Sequence, residues 1–273
     1  MSSTLLVPNQ LVLVLVLLCA CLMSCSSALG VGVGNTKWRT TPNNSAVPKE
    51  LKYFDARGAA EIVRVLLHLG EVEYTDTRFK IEMKDGKFNT PDFTAAKEAG
   101  VLDVNLARAP ILVLSNGVVL GQSKAMERYI SRMCGMLGGD EVEAALIDAV
   151  AENVRDVKDR FSKVRSIGGM GPNPEKEAAT KKFFEAGGEW EQWLGKLEKS
   201  LSALPGRVSG FAVGKALSYA DILIWHMLTD WLDDKEASLS ISTKFTELTA
   251  IAAQVEANPK LKDYLAARPK TMF

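Results

Sequence analysis

The sequence predicts an α/β domain followed by an all-α domain, and three observations carry that prediction. From Leu51 to Gly70 a short alternating strand breaks at Arg57-Gly58 and becomes a largely apolar helix. Asn116-Gly117 lies between two apolar runs, the strongest short-range signal for a hairpin. From about Gly139 onward strand signals disappear, and apolar residues recur at spacings of three and four.

A chain of 273 residues exceeds one average domain and can bury a sizeable core. Its 33 basic and 33 acidic residues cancel, which leaves no electrostatic footprint for a nucleic-acid backbone or an anionic membrane. Small molecules or proteins are therefore the expected partners. Cys19, Cys21 and Cys25 lie within the hydrophobic N-terminus and Cys134 is the one thiol beyond it, so a disulfide framework is excluded. His68 and His226 fall on predicted helices without paired cysteines, and no metal-ligand spacing results.

Residues 1–36 contain no Lys, Arg, Asp or Glu, and Leu11 to Met23 is an unbroken apolar run. That length suits a signal-peptide core better than a membrane span, and Ser26-Ser27-Ala28 places cleavage after Ala28. The rival reading is an uncleaved anchor with a cytoplasmic folded part, because positive residues are missing ahead of the run while Lys37 and Arg39 follow it. Residues 29–48 read as a linker.

In chain order, the opening strand leads into a helix from Ala59 to Leu69 with Glu61, Arg64 and His68 as a polar stripe and Gly70 placed to end it. Val72 to Thr75 alternates like a second strand, parallel to the first. Lys80 to Asn89 reads as irregular, Asp92 to Ala99 as a short helix, and Ile111 to Leu114 as a strand returning through Val118 to Leu120. Ser123 is a good N-cap for a helix with Met126, Tyr129, Ile130 and Met133 on one face. The order β-α-β-α-β-β-α over residues 49–135 is that of a thioredoxin-like domain. An all-helical bundle over 139–273 follows. Its first helix runs through Val142, Leu146, Val150, Val157 and Val164; the cluster Gly168 to Pro174 breaks it. Phe183, Trp190, Trp193, Leu194, Leu197 and Leu201 mark a second helix, and Ser218 with Asp221 opens a third whose Ile222 to Trp225 is apolar all round.

Five short motifs in this order carry a likeness: Tyr53-Phe54 with Arg57-Gly58, Ala109-Pro110-Ile111-Leu112, Gln122-Ser123 with Arg128-Tyr129-Ile130, Ser218-Tyr219-Ala220-Asp221, and the ending Asn258-Pro259 with Arg268-Pro269. From Leu51 to the C-terminus the chain resembles a cytosolic-type glutathione S-transferase, nearest the sigma class that includes the glutathione-dependent prostaglandin D synthases. The resemblance implies that Tyr53 hydrogen-bonds the glutathione sulfur and favours its thiolate. It implies a cis Pro110 that turns the Ala109 backbone toward the cysteinyl unit, and Gln122 and Ser123 as the receivers of the γ-glutamyl group. Phe93 falls where the sigma pattern often has Trp, Lys97 fits the lysine near the glycyl carboxylate, and Arg108 matches a neighbouring Lys position. Glu152 stands where the family places an acidic residue that reaches the partner's glutathione across a dimer. Many sigma members carry a second Arg where this chain has Ala59. The implied activity is conjugation of glutathione to apolar electrophiles by a homodimer, with glutathione as cosubstrate and no cofactor. A non-catalytic glutathione-transferase-like binding or structural protein is the alternative.

Overall fold

A computed structural model describes residues 46–84, 87–169, 173–232 and 235–271. The expected signal peptide or anchor, its three cysteines and nearly all of the linker lie outside the described residues. Among the described residues no helix is long and apolar enough to cross a membrane.

The N-terminal half is a thioredoxin-like domain with a mixed sheet. Strand β1 (Pro48–Phe54) lies at its centre, parallel to β2 (Thr75–Phe79) and antiparallel to β5 (Ile111–Leu114), which pairs antiparallel with β6 (Val119–Gly121). The strand order is β2-β1-β5-β6. Alternation along β1 sends its residues to two faces. Leu51, fully buried, and Tyr53 pack in the main core with helices α1 (Glu61–Leu69) and α3 (Ser123–Met133). Phe54 turns the other way, into a smaller cluster with Phe79, Phe93, Leu102 and Ile111 beneath α2 (Pro91–Glu98).

Several local expectations are corrected. The second strand begins at Thr75, not Val72, because α1 ends through Glu71 in the left-handed region (φ 53°) and the chain spends three further residues regaining an extended path. Gly70 is not the left-handed terminator; it is required because a Cβ there would lie 2.2 Å from Cys134 Sγ. Lys80 to Asn89 is not irregular: β3 (Glu82–Lys84) pairs antiparallel with β4 (Lys87–Asn89). Ser123 is the first helical residue of α3 rather than its cap, and Gln122 occupies the cap position at φ 65° without a side-chain capping bond.

The helical half contains α4 (Glu141–Arg165), whose cap Asp140 accepts from the N–H groups of Val142 and Glu143 at 2.9 and 2.8 Å. The predicted second helix is two. Phe183 ends α5 (Pro174–Phe183), and Gly187-Gly188 separates it from α6 (Glu189–Ser202), which carries Trp190 and Leu201. Helix α7 (Tyr219–Trp225) is buried along its whole length and continues as a π turn through His226–Asp230. Burying Trp190, Tyr219 and Trp225 side chains in this way contributes roughly 2–3 kcal/mol each. Then follow α8 (Lys235–Ser242), α9 (Thr246–Glu256) and α10 (Pro259–Ala267), the last packed against α1.

Candidate functional site

Strand register assembles the expected site. Lys52 pairs with Ile111 and Ile111 with Gly121. One residue further along each strand stand Tyr53, Pro110 and Gln122, side by side at one end of the sheet. Tyr53 is 57 residues from Pro110 in sequence and 69 from Gln122, and two antiparallel pairings bring the three together.

Tyr53 is half-buried, and its Oη accepts a hydrogen bond from the Ala59 N–H at 3.1 Å. With one lone pair so occupied, the hydroxyl hydrogen is free to donate elsewhere. Gly58 makes this approach feasible: it sits at φ 43°, and a Cβ there would fall 2.5 Å from Tyr53 Oη. The buried Arg64 guanidinium lies 5.9 Å from the centre of the Tyr53 ring and is held by Asp76 at 3.1 Å and by the Ala56 carbonyl at 2.7 Å.

The Ala109-Pro110 peptide is cis, as the resemblance implies. Asn105, which the sequence reading passed over, ties this strand to its neighbour. Its Nδ2 donates to the Pro110 carbonyl at 2.9 Å and its Oδ1 accepts the Gln122 N–H at 3.2 Å. A lone Asn in a loop carries no spacing signal, and its burial is visible only in three dimensions. Gln122 is exposed and Ser123 half-buried at the N-terminus of α3, where free amide groups face outward.

The remaining candidates are placed less centrally. Lys97 on α2 and Arg108 before Pro110 are exposed, with Arg108 Nε donating to the Asn105 carbonyl at 3.4 Å. Phe93 packs on Phe54 with ring centres 4.8 Å apart and on Phe79 at 5.8 Å, within the smaller aromatic cluster. Glu152 is paired within its own chain, with Arg128 and with Arg155.

A cavity of about 790 Å³ opens beside Gly58, Ala59 and Ser123, bounded on the far side by α4, α5 and the π turn. Apolar lining comes from Ile62, Phe161, Leu223 and Trp231. Charged side chains make up much of the rest of the lining. Two of the three carboxylates among them are engaged: Arg155 and Tyr219 hold Glu127, while Arg268 at 2.7 Å and Arg57 at 3.4 Å hold Asp230; the third, Asp159, is exposed. Burial pushes the Asp230 carboxyl up, yet the Arg268 hydrogen bonds and neighbouring cations outweigh it and leave it below the usual range. Lys158, in the middle of α4, makes no ion pair with a carboxylate among the described residues. Its Nζ is 3.2 Å from His226 Nδ1 and 4.6 Å from the centre of the Trp231 ring. Burial lowers the lysine to about 8. Burial, with Lys158 beside it, also holds the His226 imidazole well below its ordinary value, so Nδ1 accepts.

Residues 49–132 match the family model "Glutathione S-transferase, N-terminal domain", and residues 156–268 match "Glutathione S-transferase, C-terminal domain". Glutathione S-transferase 3 of Caenorhabditis elegans is 30% identical over 229 residues, covering 82% of this chain and 98% of the relative. Hematopoietic prostaglandin D synthase of Gallus gallus is 29% identical over 222 residues, 81% of this chain and 97% of the relative. Among solved structures, monomeric Na-GST-3, a glutathione S-transferase from Necator americanus, superposes with a TM-score of 0.63 at 25% identity, covering 82% of this chain and 98% of its own. On these matches, and on the thioredoxin-like and helical halves that frame the Tyr53 row, the chain belongs to the glutathione S-transferase family.

Proposed function

We propose that the Tyr53 hydroxyl donates a hydrogen bond to the sulfur of bound glutathione and that the thiolate so favoured attacks an electrophilic carbon of a second substrate in the adjoining cavity. The observation that carries this reading is the row of Tyr53, Pro110 and Gln122 across three neighbouring strands, next to Gly58 and Ala59 at the cavity wall. In it the Ala109 backbone pairs with the cysteinyl unit, and Gln122 with Ser123 at the start of α3 receives the γ-glutamyl carboxylate, a natural place for an anion. Lys97 and Arg108 are exposed cations for the glycyl carboxylate. A cysteine-type thiol titrates near 8.5, so a lowering of about two units is worth about 2.7 kcal/mol. One charge-assisted hydrogen bond supplies roughly 1.5–3 kcal/mol, most of that requirement.

The test is conjugation of glutathione to 1-chloro-2,4-dinitrobenzene, in which the sulfur bonds to the ring carbon and chloride leaves. Tyr53→Phe is expected to lower kcat/KM roughly ten- to hundred-fold with little change in glutathione affinity. Equal turnover by mutant and wild type would remove Tyr53 from the mechanism.

The homodimer belongs to the same proposal. Val104 and Leu106 are 53% and 76% exposed on the loop ahead of Pro110, and Leu106 is held at φ 54°, an apolar side chain presented outward at a conformational cost. Leu106→Glu is expected to shift a dimer toward monomer in light scattering; a wild-type monomer at micromolar concentration would discard the dimer.

A further inference from the structure

We propose that the Asn105 side chain is a spacer inserted between the ends of β5 and β6, and that it sets how the γ-glutamyl and cysteinyl units of glutathione are placed relative to each other. The assignment rests on the glutathione-transferase reading, and in it Asn105 is a positioning residue.

The ladder between the two strands shows the insertion. Ile111, Leu112 and Val113 stand opposite Gly121, Leu120 and Val119, and past them the Leu114 N–H donates to the Val118 carbonyl at 2.8 Å. Hydrogen-bonded pairs in an antiparallel ladder recur at every second residue. Counted from Leu114 with Val118, they are Leu112 with Leu120 and then Pro110 with Gln122. Proline has no N–H, so the one bond open to that last pair runs from the Gln122 N–H to the Pro110 carbonyl. Instead, the Gln122 N–H donates to Asn105 Oδ1 at 3.2 Å, and the Pro110 carbonyl accepts from Asn105 Nδ2 at 2.9 Å. A carboxamide offers the same donor and acceptor as a peptide group, so it satisfies both strand ends while holding them one amide apart.

The surroundings are fitted to this side chain. Asn105 is 5% exposed, at the end of a single 3-10 turn (Asp103–Asn105) packed against β6. Gly121 leaves the room for it: a Cβ there would lie 3.0 Å from Asn105 Cβ and 3.1 Å from its Oδ1. Gln122 holds φ at 65°, a conformation that a residue with a side chain keeps only where its neighbours enforce it. The bond from its N–H to Asn105 is that enforcement.

On one side of the gap stands Ala109, whose backbone pairs with the cysteinyl unit; on the other stand Gln122 and Ser123, the receivers of the γ-glutamyl group. The Asn105 backbone carbonyl also accepts from the Arg108 N–H at 3.1 Å and from its Nε at 3.4 Å, which steadies the cation offered to the glycyl carboxylate. Without the spacer the tripeptide must itself order these segments as it binds, at a cost in affinity. Tyr53 is spared, because it stands on β1, which has β5 between itself and β6. Loss of the spacer therefore weakens glutathione binding more than it slows the chemistry.

S-hexylglutathione, which carries the whole tripeptide and no free thiol, is the probe. Titrated calorimetrically into the full-length chain, it is expected to bind Asn105→Ala roughly ten-fold more weakly than the wild type. Asn105→Asp keeps the shape and the acceptor but turns an oxygen toward the Pro110 carbonyl, and should bind it no better than Asn105→Ala. Gly121→Ala keeps the asparagine, crowds its carboxamide and should weaken binding in the same direction. In conjugation to 1-chloro-2,4-dinitrobenzene, Asn105→Ala should raise KM for glutathione about ten-fold and keep kcat within about three-fold of the wild type. Leu248→Ala, in the core of the helical half, is the stability control: it lowers the thermal midpoint and leaves affinity and KM in place. Wild-type affinity in both Asn105 variants overturns the proposal, and so does a loss confined to kcat and the thermal midpoint with KM unmoved. A wild type that does not bind S-hexylglutathione overturns the glutathione reading, and the spacer role with it.

Discussion

An ammonium held between an imidazole and an indole is a cost the folded protein carries. Lys158 titrates near 8 in the native state against 10.5 when unfolded, so its native form is penalised wherever the unfolded chain is protonated. That penalty is complete below pH 8, shrinks as pH climbs, and is gone near pH 10.5. Lys158→Met should therefore be more stable than the wild type by on the order of 1–2 kcal/mol at pH 6.5. The advantage should contract clearly at pH 9.5, as urea midpoints at the two pH values will show. Gain that does not vary with pH would mean that packing, not charge, explains the variant. At the same scale, Ala59 contributes through its backbone: its N–H engages Tyr53 whatever side chain the position carries. An Arg there is not needed for that bond, which is why the departure at Ala59 leaves the tyrosine oriented.

Helix α7 shows what one well-made helix start can hold. Asp221 Oδ2 accepts from the Ser218 N–H at 2.7 Å and from its hydroxyl at 2.5 Å, and Oδ1 accepts the Ala212 N–H at 2.6 Å. All of this is buried, with Asp221 at 1% exposure. Asp221→Ala should cost about 3 kcal/mol or more, because two buried amides lose their acceptor along with the cap. A thermal midpoint unchanged from wild type would show that water replaces the carboxylate. This capping box was legible from Ser218 and Asp221 three residues apart, since capping is a local pattern. Equally legible were the long α4, the Asn116-Gly117 hairpin and the apolar run of α7. What escaped was set by long-range contact. The start of β2 depends on where Glu71 releases the chain, and the break between Phe183 and Trp190 was masked by aromatic residues that kept helical spacing across Gly187-Gly188. The site divided the same way. Tyr53, Pro110 and Gln122 stood out through motif order, whereas Asn105 and Lys158 draw their meaning from partners 17 and 68 residues away.

Across the whole molecule, charge joins the two halves as firmly as the shared hydrophobic core does. Glu61, 1% exposed on α1, accepts from Tyr264 Oη at 3.0 Å and from Arg268 at 2.8 Å. Arg268 in turn grips Asp230, which also accepts from Arg57 in the turn after Tyr53. One arginine at the end of α10 thus reaches both the first helix of the sheet domain and the π turn that floors the cavity. Glu61 and Arg268 are separated by 207 residues. During synthesis the α/β half leaves the ribosome long before its clasp exists, and Glu61 must wait with a carboxylate that its own domain cannot fully satisfy. Domains usually fold as soon as they emerge. Here the clasp between the halves waits on a residue made 207 positions after Glu61, so it closes late whatever the sheet domain does first.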